Sequence, residues 1–96
     1  MAEKHGIGQA IKMVRGAHGL SQEAFSEVSS RTYMSSVERG LKNPTWAKVA
    51  ELCEVMQVHP ATLAIIVDSQ DMDKADALLA QVRQELKAIM AADERK

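Results

Sequence analysis

Cysteine is all but missing from this sequence: Cys53 is the only one in 96 residues. That excludes a disulfide framework within the chain and a cysteine-based metal cage, and it fits the reducing cytosol. Aromatic residues are as scarce, with Phe25, Tyr33 and Trp46 alone, and Pro44 and Pro60 are the only prolines. Set beside abundant Ala, Leu, Met, Glu, Lys and Gln, this scarcity favours helices over strands and predicts an all-α protein. No stretch approaches the roughly 18 apolar residues of a membrane span, and Met1 to His5 carries no apolar signal region, so a soluble, cytoplasmic chain with no membrane partner is expected. His5, His18 and His59 fall on separate elements without ligand spacing, so no metal is expected. No Ser, His and Asp arrangement, glycine-rich phosphate loop or paired catalytic acids stands out, which argues against an enzyme and gives no cofactor.

What is present is enough for one modest core, since a chain of this length with 46% hydrophobic residues has no room for a second globular domain. The net charge of −1 hides an asymmetry. Residues 1–50 carry seven basic side chains (Lys4, Lys12, Arg15, Arg31, Arg39, Lys42, Lys48) against four acidic ones, a net +3, whereas residues 51–96 carry five against nine, a net −4. A phosphate-facing surface therefore belongs to the N-terminal half.

Along the chain, Ile7, Ile11 and Val14 recur at helical spacing until Gly16 and Gly19 break the pattern. Ser21 offers an N-cap to a short second helix that can run only to about Val28. Ser29 and Ser30 precede a third helix, Arg31 to Arg39, with Met34 and Val37 inward and Gly40 as its stop. Thr45 caps a fourth helix with an apolar stripe of Val49, Leu52, Cys53 and Met56, and Pro60 opens a fifth through Leu63, Ile65 and Ile66. Beyond Asp71, the residues Ala75, Leu79, Val82, Leu86 and Ile89 alternate spacings of four and three, widened by Leu78 and Met90, so an amphipathic C-terminal helix is expected. The division of the chain is then 1–70 for the helical domain and 71–96 for the appended helix. Met13, Met34 and Met56 lie near core stripes, Trp46 is expected as a core or rim anchor, and Cys53 as an inert core residue.

Five short helices in this order, carrying Gly8 and Arg15, then Gly19-Leu20-Ser21-Gln22-Glu23, Tyr33-Met34-Ser35 with Val37-Glu38-Arg39-Gly40, and Asn43-Pro44-Thr45, resemble the DNA-binding domain of the XRE family, to which lambdoid phage repressors and Cro belong. The resemblance covers about sixty residues and implies a five-helix repressor-like helix-turn-helix domain that binds double-stranded DNA. It places the third helix in the major groove, with Ser30, Arg31, Thr32, Ser35 and Ser36 reaching base edges. Of these Arg31 is the strongest reader, because a guanidinium can bond guanine O6 and N7 together. Gln22, Tyr33, Arg39, Lys42, Asn43 and Thr45 are implied phosphate contacts, with core packing as the other reading of Tyr33. Arg15 and Glu38 fall where the family forms an ion pair between its first and third helices. In one respect the chain departs from the pattern: between Phe25 and Tyr33 it is about two residues shorter and lacks the usual turn glycine.

The C-terminal stripe, Leu78, Leu79, Val82, Leu86, Ile89 and Met90, is expected to pair with a second copy, because an exposed apolar strip of that length is a hazard in a monomer. The overall expectation is a homodimeric, sequence-specific transcription regulator, a repressor at a palindromic operator, acting without a cofactor. The resemblance also covers controller proteins of restriction systems and antitoxins of toxin pairs. A different class remains open at this point, a protein-interaction module that keeps the scaffold and captures a protein partner through the acidic C-terminal helix.

Overall fold

The computed structural model describes residues 6–95; Lys4, His5 and the other residues of 1–5, together with Lys96, lie outside the described part. The elements are α1 (Ile7–Ala17), a single 3-10 turn (Gln22–Phe25), α2 (Arg31–Glu38), α3 (Trp46–Met56), α4 (Pro60–Asp68) and α5 (Met72–Glu94). Among the described residues there is no strand.

The apolar stripes predicted from spacing converge on one core. Ala10, Ile11 and Val14 of α1, Phe25 of the 3-10 turn, Met34 and Val37 of α2, Val49, Leu52, Cys53 and Met56 of α3, and Leu63 of α4 are all buried. Fully burying a side chain of the size of Phe25, Ile11 or Leu52 contributes about 1.5–3 kcal/mol, so this cluster is what holds the four short helices together. α1 packs against α2 and α4, and the 3-10 turn bridges α2 and α3. Gly8 sets how closely α1 and α2 approach: a Cβ there would stand 1.8 Å from the Val37 carbonyl oxygen, which is backbone and cannot yield. The α3–α4 pair is apolar enough in sum to resemble a membrane span, but it is bent by 106° and no single described helix is long and apolar enough to cross a bilayer.

Helix starts follow their caps. Ser30 Oγ accepts from the Tyr33 amide at 3.0 Å, Thr45 Oγ1 from Lys48 at 3.1 Å, and Asp71 Oδ1 from Lys74 at 2.9 Å. His59 Nδ1 accepts from the Ala61 amide at 3.0 Å, with Pro60 at the first helical position, where its missing N–H costs nothing. α1, α2 and α3 close in Schellman fashion. Leu41 N–H reaches the Ser36 carbonyl behind Gly40 at φ +77°, and Val58 N–H reaches the Cys53 carbonyl behind Gln57 at φ +58°.

Three expectations are corrected. The second helix is not an α-helix: only Gln22–Phe25 is regular, as one 3-10 turn, and residues 26–28 form turns. Too few residues separate the buried Phe25 from the Ser30 cap to complete a second α-turn, and the Ser21 side chain makes no cap bond. Trp46, at 66% exposed, is no core anchor: it is the first residue of α3, one turn before Val49, and stands at the open end of the stripe. Met13, at 47% exposed, lies beside the α1 stripe and lines a surface groove instead of filling the core.

α5 differs from the rest. It runs 23 residues, about 35 Å at 1.5 Å per residue, and its main packing partner is α4. The break before it is satisfied: the buried Ser69 hydroxyl donates to the Ile65 carbonyl. Ala75 in its second turn is the only buried residue along its length.

Candidate nucleic-acid interface

α2 is a helix of eight residues with one buried side, Met34 and Val37. At 100° per residue the direction opposite those two is occupied by Thr32, Ser35, Ser36 and, just past the helix, Arg39, with Arg31 at the margin of that face. Arg31, Thr32 and Arg39 are exposed, and Ser35 and Ser36 half-buried. The outward face is thus short and polar, able to approach a base edge without steric bulk in the way. Arg31 Nη1 lies 3.5 Å from Glu23 Oε1, with both side chains about three-quarters exposed. Such a pair is worth little in water and yields readily to a stronger acceptor.

The orientation of α2 is fixed from behind. Arg15 Nε donates to Glu38 Oε2 at 2.7 Å and Nη2 to Oε1 at 2.8 Å, a bidentate pair, while Nη1 reaches the Leu20 carbonyl at 2.8 Å. Gln22 Nε2 adds a bond to Glu38 Oε1 at 3.2 Å. Three elements, α1, the 3-10 turn and α2, are therefore tied through one carboxylate whose side chain is 4% exposed. Burial pushes the Glu38 carboxyl upward, but the hydrogen bonds from Arg15 and Gln22 and the charges of Arg15 and Lys12 outweigh it and hold it below the ordinary value of 4.5. The same hydrogen bond, opposed by burial, pushes the Arg15 guanidinium upward.

The structure brings three of the expected phosphate contacts, Tyr33, Asn43 and Thr45, together with Ser30, which was expected at a base edge. Ser30, Tyr33, Asn43 and Thr45 line one shallow concavity with Ser29 and Lys48, where the N-terminal ends of α2 and α3 lie side by side. Tyr33 packs partly against the core and carries the Lys42 ammonium 5.8 Å above its ring, so packing and surface roles coexist in that residue. Arg39, Lys42 and Asn43 are exposed on the segment joining α2 to α3. Gln22 stands apart from this cluster, its amide engaged with Glu38.

Sequence reasoning missed Lys48. Its Nζ donates to the Val28 carbonyl at 2.6 Å and pairs with Glu51 Oε1 at 3.2 Å. The Lys48 and Glu51 spacing of three is visible in the sequence; the link to Val28, twenty residues away, is not. Cys53 is buried, and burial pushes its thiol upward, which keeps it protonated and unreactive.

The expected dimerisation residues lie on one side of α5. Leu78 and Val82 are half-buried, while Leu79, Leu86, Ile89 and Met90 are exposed. Leu79 joins this stripe to a groove between α4 and α5 whose apolar wall includes Met13, Ile65, Ile66 and Met72.

A family model described as a helix-turn-helix domain matches residues 7–64, from the start of α1 into α4, and leaves α5 outside. No curated protein sequence matches the chain. Among solved structures, the restriction-modification controller protein C.AhdI from Aeromonas hydrophila is similar, at 32% sequence identity and a TM-score of 0.56, over 59% of this chain and 89% of that one.

Proposed function

Starting from a chain that belongs to the XRE-type helix-turn-helix family of DNA-binding transcription regulators, we propose that it acts as a homodimer that binds a palindromic operator and represses transcription by occupying it. The observation that carries this reading is the polar outward face of α2, held at a fixed angle by the Arg15–Glu38–Gln22 network. In the proposed complex α2 lies in the major groove. Thr32, Ser35 and Ser36 reach base edges, and Arg31 leaves Glu23 for guanine, a bidentate contact worth about 1–3 kcal/mol of discrimination.

Arg39 and Lys42, with the concavity of Ser30, Tyr33, Asn43 and Thr45, hold the backbone, where helix N-termini favour anions. Two copies joined through α5 would set their α2 helices about 34 Å apart, one helical turn of DNA between half-sites. The work is binding without catalysis, and its setting is the cytosol. The likeness to a restriction-modification controller makes control of such a system the specific form of the role to test first.

The test is selection of bound sequences from random duplex DNA at physiological salt, followed by titration of the winner with protein and with Arg31→Ala. The expected result is a palindromic consensus bound by two chains, relaxed at one position per half-site in Arg31→Ala. No enrichment over the starting pool would overturn the regulator reading in favour of a protein-interaction module.

A further inference from the structure

We propose that Lys48 is a positioning residue for DNA binding: its ammonium grips the turn between the 3-10 turn and α2, and so fixes the spacing between the N-terminal ends of α2 and α3. The proposal rests on the operator-binding reading. It starts from the shortened turn, residues 26–30 (Ser-Glu-Val-Ser-Ser), which contains no glycine. Its amides fold back, those of Val28 and Ser29 both bonding the Phe25 carbonyl at 3.0 and 2.8 Å. The Val28 carbonyl points instead to α3, where Lys48 Nζ meets it at 2.6 Å.

Lys48 is anchored at both ends. Its own amide donates to the Thr45 cap at 3.1 Å, and its ammonium is shared with Glu51 at 3.2 Å. A lysine whose charge is already met by a carboxylate and whose donors face a carbonyl adds little to phosphate attraction. What it supplies is a fixed link. Two residues beyond Val28 stands Ser30, the cap of α2, and Ser30, Thr45 and Lys48 line the same concavity. A phosphate held there would meet both helix ends only if their separation does not drift.

The test compares the full chain with Lys48→Met and Lys48→Arg by amide hydrogen exchange and by titration of the selected operator and an unrelated duplex across a salt series. In Lys48→Met the amides of Val28 and Ser29 should exchange about tenfold faster while those of Ile11 and Leu52 do not change, the loss of one charge-assisted hydrogen bond. Operator affinity should fall about tenfold, with affinity for the unrelated duplex held within about twofold and the salt slope unchanged. Lys48→Arg, which can still donate to Val28, should recover most of both effects. Unchanged exchange, unchanged operator affinity, or a salt slope reduced by about one, the mark of a direct phosphate contact, would each overturn the proposal. Should no duplex be selected by the parent protein, the operator reading falls, and the exchange arm still decides whether Lys48 braces the turn.

Discussion

The segment α1 to α4 and the outer part of α5 solve the same problem differently. In the first, every helix turns an apolar stripe inward, and the stripes of short helices meet in one core around Phe25, Ile11 and Leu52. In the second, a stripe just as regular in sequence is left uncovered by the described residues, and Leu86, Ile89 and Met90 are more than half exposed. Helical periodicity thus reports an apolar face, not whether its own chain covers it. Since most helical stability comes from tertiary packing, the contrast predicts two separable kinds of failure: unfolding of the monomer and loss of association.

The strongest way to break the first region is at Gly8. Gly8→Ala drives a methyl into the Val37 carbonyl at 1.8 Å, so α1 must part from α2. A loss of about 3 kcal/mol or more in denaturant unfolding is expected; a loss under about 1 kcal/mol would show that the two helices can slide apart freely. Glu38→Ala comes next. It strands the Arg15 guanidinium beside a carbonyl and should cost about 3 kcal/mol, while Glu38→Gln, which keeps an acceptor, costs less.

Acid gives a sharper version of the same test. Because the folded carboxyl of Glu38 lies below its ordinary value of 4.5, the stability it contributes is fully present above that pH and drains away as pH falls through the lower folded value. Arg15, pushed upward, keeps its proton throughout this range. Urea unfolding between pH 6 and 3 should therefore lose part of its slope with pH in Glu38→Gln, and a slope equal to that of the parent would remove the pair from the account.

The second region should break without disturbing the first. Leu86→Asp puts a charge in the middle of the exposed stripe, and sedimentation should show the dissociation constant of the proposed dimer raised by a hundredfold or more, about 2.7 kcal/mol. Monomer unfolding should move by less than about 0.5 kcal/mol, as for other exposed positions. A dimer unaffected by Leu86→Asp would place the interface elsewhere, and a destabilised monomer would mean that α5 folds back on its own domain.

How much of this was legible differs between the two regions for a physical reason. The core stripes, the caps Ser30 and Thr45, Pro60 and the stop at Gly40 are local signals, and each can be read within one or two turns. Trp46 and Met13 show that hydrophobicity is not burial: Met13 sits beside its stripe, and Trp46 stands at the open first turn of α3. The 3-10 turn followed from a length deficit that was visible, although its geometry was not. Lys48 and Val28 meet only because α3 packs beside the turn, and Gln22 reaches Glu38 because the 3-10 turn packs against α2. The resemblance named the elements of the interface, but the register of Thr32, Ser35, Ser36 and Arg39 on one face comes from the helix itself.

The smallest effect concerns a detail inside the core region, where the Schellman closures are not alike. α1 and α2 end on Gly19 and Gly40 at φ +68° and +77°, whereas α3 ends on Gln57 at φ +58°, an exposed residue. A side chain in the left-handed region costs about 1–2 kcal/mol, and glycine returns part of that gain through the greater freedom of its unfolded chain. Gln57→Gly should therefore stabilise the monomer by about 0.5–1 kcal/mol in denaturant unfolding, with no change in self-association or DNA affinity, because the position is on neither proposed surface. A destabilised variant would mean that the Gln57 side chain supports the α3–α4 corner through a contact stronger than the strain it relieves.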